Sequence, residues 1–121
     1  MELQELKVES LLRSLGDKCP TPGGGAAAGV TAAIGLAAGR MVLAYSIGRK
    51  DLAEHETANT AALQELEAWR DEAVALAEAD AEAFGILSAL WKLPEDHPER
   101  VADWEVAVRA AINAPLAMCR L

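Results

Sequence analysis

The chain has 121 residues, enough for one domain with one modest core. Hydrophobic residues make up 52% of it but aromatic ones only 4%, so the core must be alanine and leucine. With β-branched residues sparse, the class is all-α. A formal net charge of -8 excludes nucleic acid or an anionic membrane as the main partner, because such binding needs clustered cations.

The first predicted element covers residues 3–15, where Leu3, Leu6, Val8, Leu11, Leu12 and Leu15 form the apolar side of a short amphipathic helix. Gly16 can cap it. The run Asp-Lys-Cys-Pro-Thr-Pro-Gly-Gly then forces an extended turn, since each proline fixes its own φ and biases the residue before it away from helix.

A second helix is expected from about Gly24 to Ile47. Its leading stripe is Val30, Ile34, Ala37, Met41 and Ala44, and a second face carries Gly25, Gly29, Ala32, Gly35 or Leu36, and Gly39. Several glycines inside one helix, each unfavourable by up to about 1 kcal/mol against alanine, suggest that another backbone or a ligand comes close. The segment Cys19–Gly39 carries no charge and is about long enough to span a bilayer. Glycine and alanine insert weakly, however, and an acidic amphipathic segment precedes it, which does not suit a signal peptide. Burial in a bundle or an oligomer is the expectation, with no membrane. Gly48, followed by Arg49 and Lys50, is the predicted stop, with cations at the negative end of the helix.

The third helix should be long, roughly 51–91. Ala73, Ala77, Asp80, Phe84, Leu87 and Trp91 follow one another at steps of four and three, and Asn59, Leu63 and Leu66 lie on a similar line. Asn59 and Asp80 thus stand where the pattern expects hydrophobes. Leu93–Pro98 reads as a loop. A fourth helix starts near Pro98 or Glu99 and runs to the end, with a kink at Pro115.

Three features bear on chemistry. Gly23, Gly24 and Gly25 at a helix start expose backbone N–H groups, which suits either a tight turn or a carboxylate or heteroatom ligand. Asp80 on an inward stripe is either a general acid or base or an aspartate bonded to a neighbouring helix. Arg49 and Lys50 either complement the helix dipole or form an anion site. Glu78 and Glu82 read as solvated, and His55 and His97 as surface residues. Neither histidines nor cysteines pair at metal-ligand spacing, so no metal is expected. Cys19 and Cys119 read as reduced thiols of a cytoplasmic protein.

The ordered set of motifs resembles the cyclodeaminase/cyclohydrolase family of folate enzymes. Its carriers are Pro20–Ala28 (PTPGGGAAA), the Ala/Gly helix, Ile47–Lys50 (IGRK), Ala79–Phe84 (ADAEAF), Leu93–Asp96 (LPED) and Ala114–Arg120 (APLAMCR). The resemblance implies one all-helical domain over residues 1–121, a bundle of about four helices lacking the family's C-terminal helices. It implies a homodimer or larger homo-oligomer. The implied activity is methenyltetrahydrofolate cyclohydrolase or formiminotetrahydrofolate cyclodeaminase, with a tetrahydrofolate derivative as substrate and no cofactor. The alternative is a truncated, non-catalytic scaffold that oligomerises. The implied catalytic residues are Asp80 and Lys50, and the implied substrate contacts are Pro22, Gly23, Gly24, Gly25, Arg49 and Phe84.

Overall fold

The computed structural model describes residues 2–121, and these form four α-helices and no strand. The helices are α1 (Val8–Gly16), α2 (Gly24–Ser46), α3 (Glu56–Trp91) and α4 (Pro98–Met118). Short 3-10 turns occupy Leu3–Glu5 and Lys50–His55. The single first helix expected over 3–15 is therefore broken at Lys7, which is extended and N-caps α1. The expected third helix likewise starts later, because Lys50–His55 winds as 3-10 before α3 begins at Glu56.

Helices α2 and α3 form an antiparallel hairpin, and α4 folds back along the far half of α3. The α2 contacts run in step with α3. Gly25 meets Asp80, Gly29 meets Ala77 and Ala73, and Gly39 meets Leu66. A Cβ placed on Gly29 would lie 2.7 Å from the Ala77 Cβ and 2.9 Å from the Ala73 carbonyl oxygen. Nothing larger than glycine fits there, so the two backbones touch. Ala26, at 1% exposure, and Ala77, at 0%, are sealed in this seam with Leu3 and Ala81. A second small core, Leu87, Leu90 and Ala107, joins α3 to α4. There Trp91 meets Trp104 edge-on at 6.0 Å, and the Arg100 guanidinium stacks 4.5 Å above Trp104 while donating to the Leu93 carbonyl at 2.7 Å.

The glycine face of α2 meets a neighbouring helix at Gly25, Gly29 and Gly39, as the glycines suggested, while most of the leading stripe does not pack. On that stripe Val30 packs against the core, but Ile34 is 66% and Met41 55% exposed, and Val42 and Tyr45 also face outward. Small side chains let the two helices approach closely at Gly25, Gly29 and Gly39, whereas Ala32 and Gly35, read on the same face, are exposed. The outer face stays uncovered, and α2 is long and apolar enough by composition to cross a membrane. Helix α1 buries none of its residues, and Val8 and Leu12 are exposed. Among the described residues no large side chain is fully buried, so alanine dominates the interior as the composition requires.

Helix ends follow the expected chemistry. Gly48 takes φ +82 just beyond α2, the left-handed region that favours glycine. Its N–H donates to Glu56 Oε2 at 3.1 Å. His97 is not a free surface histidine: it N-caps α4, its Nδ1 accepting from the Glu99 N–H at 3.3 Å, with Pro98 in the first turn. Helix α4 continues through Pro115 to Met118.

Candidate functional site

The start of α2 is a bare-backbone surface. Pro22 is buried and anchors the bend, Gly23 is the extended N-cap, and no side chain caps the helix. The first-turn N–H groups of Gly24, Gly25 and Ala26 therefore lack helical partners. Opposite them lies Asp80 on α3, half-buried between Ala77 and Ala81 on the seam side. The two features meet directly. A Cβ added to Gly25 would overlap Cγ and both carboxylate oxygens of Asp80. The absent side chain of Gly25 is thus the space that the carboxylate occupies.

Among the described residues, no hydrogen bond or ion pair reaches the Asp80 carboxylate. The reading of Asp80 as bonded to a neighbouring helix finds no partner. A half-buried carboxylate with no protein cation keeps its charge available for a ligand that is cationic or carries an N–H donor. Phe84, one turn further along α3 and 40% exposed, supplies an aromatic surface beside it. Thr21 lies against the next turn, its Cγ2 being 3.6 Å from where a Gly85 Cβ would stand.

Two grooves flank the bend. One, of about 280 Å³, runs between the first turns of α2 and the end of α4, with Gly25, Gly29, Met118 and Cys119 on its walls. The other, of about 650 Å³, opens between Thr21 and α3, where Glu78 and Glu82 line it. Asp80 lies on the wall of neither groove; Gly25 connects it to the smaller one. Glu82 is exposed as expected, but Glu78 is half-buried and accepts the Gln4 N–H at 3.4 Å.

The basic pair lies elsewhere. Arg49 and Lys50 follow the far end of α2, and 23 helical residues separate them from the glycine bend. At 1.5 Å per residue that is about 35 Å. Arg49 is engaged locally by Asp51, with Nε and the terminal nitrogen donating to the two carboxylate oxygens at 3.0 and 2.6 Å. That guanidinium holds the Asp51 carboxyl below its ordinary value. Lys50 is exposed, with no ion pair among the described residues. Within one copy, then, Gly25 of the bend meets Asp80, with Phe84 one turn along the same helix, while Arg49 and Lys50 do not join them. Counting residues along the predicted second helix would have shown this separation. Met118, Cys119 and Thr21 lie in two of the family-like motifs but were not read as site residues, because nothing local in sequence ties α4 or the Cys19–Pro22 turn to the seam. Arg40 is also on the packed side, 3.7 Å from Glu67.

A sequence profile described as formiminotransferase-cyclodeaminase matches residues 7–121. A methenyltetrahydrofolate cyclohydrolase from Methylorubrum extorquens is 34% identical over 118 residues, covering 94% of this chain and 57% of that protein. Formimidoyltransferase-cyclodeaminases from Gallus gallus and Sus scrofa are each 30% identical, over 88% and 92% of this chain and 20% and 21% of theirs. The chain spans a little over half of the bacterial relative and about a fifth of the animal ones.

Proposed function

Because the chain belongs to the formiminotransferase-cyclodeaminase family, we propose that it acts on a tetrahydrofolate one-carbon derivative, as a methenyltetrahydrofolate cyclohydrolase or a formiminotetrahydrofolate cyclodeaminase. The observation that carries this reading is the unpartnered Asp80 carboxylate lying in the space left by Gly25. The methenyl substrate is a cationic amidinium, so a carboxylate with no cation of its own stabilises it and orients water beside it. Water donates one proton to Asp80 as its oxygen bonds to the methenyl carbon. The bond from that carbon to N5 then breaks, N5 takes the proton back from Asp80, and the hydroxyl proton leaves to solvent. The products are 10-formyltetrahydrofolate and one proton. In the cyclodeaminase version N10 adds to the formimino carbon, the same carboxylate moves the N10 proton to the departing nitrogen, and ammonia leaves. Neither route calls on a metal or a redox cofactor.

Gly23, Gly24 and Gly25 let the flat pterin approach the backbone, Pro22 holds the bend, and Phe84 offers a stacking surface. Arg49, paired with Asp51, and Lys50 stand a helix length away and take no part in this site within one copy. The uncovered outer face of α2 supports a homodimer or larger homo-oligomer, since exposed apolar patches of this extent mark interfaces. Two exposed free thiols agree with a reducing, cytoplasmic setting.

The test is the absorbance loss of methenyltetrahydrofolate catalysed by the purified chain and by Asp80→Asn. Wild-type turnover, with loss of at least about 100-fold in the folded variant, is expected for a proton-transferring group. Equal turnover by the two proteins removes Asp80 from the mechanism. A scaffold that only oligomerises predicts no turnover by either.

A further inference from the structure

The smaller groove beside the glycine bend has no part in the proton transfer. It lies between the first turns of α2 and the last turn of α4 and holds about 280 Å³. Gly25, Ala28 and Gly29 wall one side of it, and Pro115, Met118 and Cys119 the other. Among the described residues no charged side chain lines it. Its backbone is closed to a ligand as well. The N–H groups of α2 beyond the first turn are engaged inside the helix, and those of Cys119, Arg120 and Leu121 donate to the carbonyls of Pro115, Ala117 and Met118. Of the described side chains on the walls, only the Cys119 thiol is polar, and it is a weak donor.

A volume of about 280 Å³ falls just short of the roughly 300–1,000 Å³ that takes a whole drug-sized ligand. One ring fits, and the walls select its chemistry. A pterin has N–H donors and a carbonyl acceptor around its edge, and burial here would leave them unpaired. A benzene ring has no such edge. It packs on the flat glycine–alanine wall, with the Met118 thioether on the opposite side. The larger groove suits such a ring less well, because the charged Glu78 and Glu82 line it.

The groove also joins the reacting end. Gly25 stands on its wall, and the Asp80 carboxylate fills the space where a Gly25 Cβ would be. A group bound in the groove therefore lies next to the group that serves the reacting carbon. In a one-carbon folate, N10 is bonded to that carbon or adds to it, and N10 carries the p-aminobenzoyl ring. We propose that the groove between α2 and the end of α4 is the subsite for the p-aminobenzoyl ring, with Met118 and Cys119 against it and the pterin left to the free N–H groups of the bend. This rests on the folate reading for the identity of the ligand.

Thiol reactivity tests the subsite without requiring turnover. In Cys19→Ser protein Cys119 is the remaining thiol. Its alkylation by iodoacetamide is expected to slow at least about tenfold at saturating 5-formyltetrahydrofolate, since a covered thiolate does not react. Millimolar p-aminobenzoylglutamate should also protect it, and pterin-6-carboxylate should not. Protection by the pterin fragment alone gives the groove to the pterin and overturns the proposal. So does equal slowing of Cys19 by p-aminobenzoylglutamate in Cys119→Ser protein, which is a general closure. A second variant fills the groove from its exposed rim. Ala28→Leu should weaken 5-formyltetrahydrofolate binding in equilibrium dialysis at least about tenfold, with an unchanged urea midpoint. Binding by dialysis that leaves Cys119 as reactive as before, or that Ala28→Leu does not weaken, overturns the subsite while the folate reading stands. No binding to wild type removes the folate reading, and the subsite with it.

Discussion

The two faces of α2 obey opposite rules. The inner face is glycine and alanine, and it is packed so tightly that a methyl group at Gly29 has no room. The outer face carries the large residues Ile34, Met41, Val42 and Tyr45, and it is open. Hydrophobicity alone ranks these faces in the wrong order. What decides is distance: close antiparallel packing of α2 on α3 selects the smallest side chains, and the larger apolar ones are left for another surface. The same closeness makes the site, because only where α2 lacks a Cβ can the Asp80 carboxylate lie against its backbone.

The comparison can be broken most severely at Gly29. Replacing it with valine forces three extra heavy atoms into a seam already at contact, and destabilisation of about 3 kcal/mol or more is expected, read as a lowered urea midpoint. Gly29→Ala should be milder, because the gain of up to about 1 kcal/mol in helix propensity offsets part of the overlap. If Gly29→Val is as stable as wild type, the seam is not packed as described. On the outer face the expectation reverses. Ile34→Ser should change the unfolding free energy of the isolated chain by less than about 0.5 kcal/mol, while weakening self-association in sedimentation. The smallest effect belongs to the basic end. Asp51 is held below its ordinary value by Arg49, so whatever this pair contributes is present at neutral pH and lost as the pH falls through the lowered folded value. Both groups are exposed, so Asp51→Asn should leave stability unchanged within error, while an NMR titration of wild type finds the Asp51 midpoint below that of a peptide aspartate.

Much of this was legible in the sequence because the signals are local. Pro20, Pro22 and the glycines set the start of α2, Gly48 its end, and Pro98 the start of α4. The composition gave an alanine core, and the inward position of Asp80 followed from the periodicity of α3. What was not legible depended on partners distant in the chain. The choice of packed face on α2 depends on α3 carrying Ala73 and Ala77 at the matching level. The partner of Glu78 is Gln4, 74 residues away in the chain. The site was half legible: Asp80 and the glycine bend do meet, whereas Lys50 and Arg49 are a helix length away, and side-chain type alone carries no information about that distance.

The most direct measurement is made on Gly25→Ala, with stability and methenyltetrahydrofolate hydrolysis followed in the same preparation. The added methyl would occupy the space of the Asp80 carboxylate, which is a flexible side-chain end and can swing away with little strain. The account predicts a folded protein, within about 1 kcal/mol of wild type, whose kcat falls at least about tenfold because the carboxylate no longer faces the reacting carbon. A folded Gly25→Ala protein with wild-type kcat would contradict it, since the carboxylate would then have no catalytic need of the space that glycine leaves.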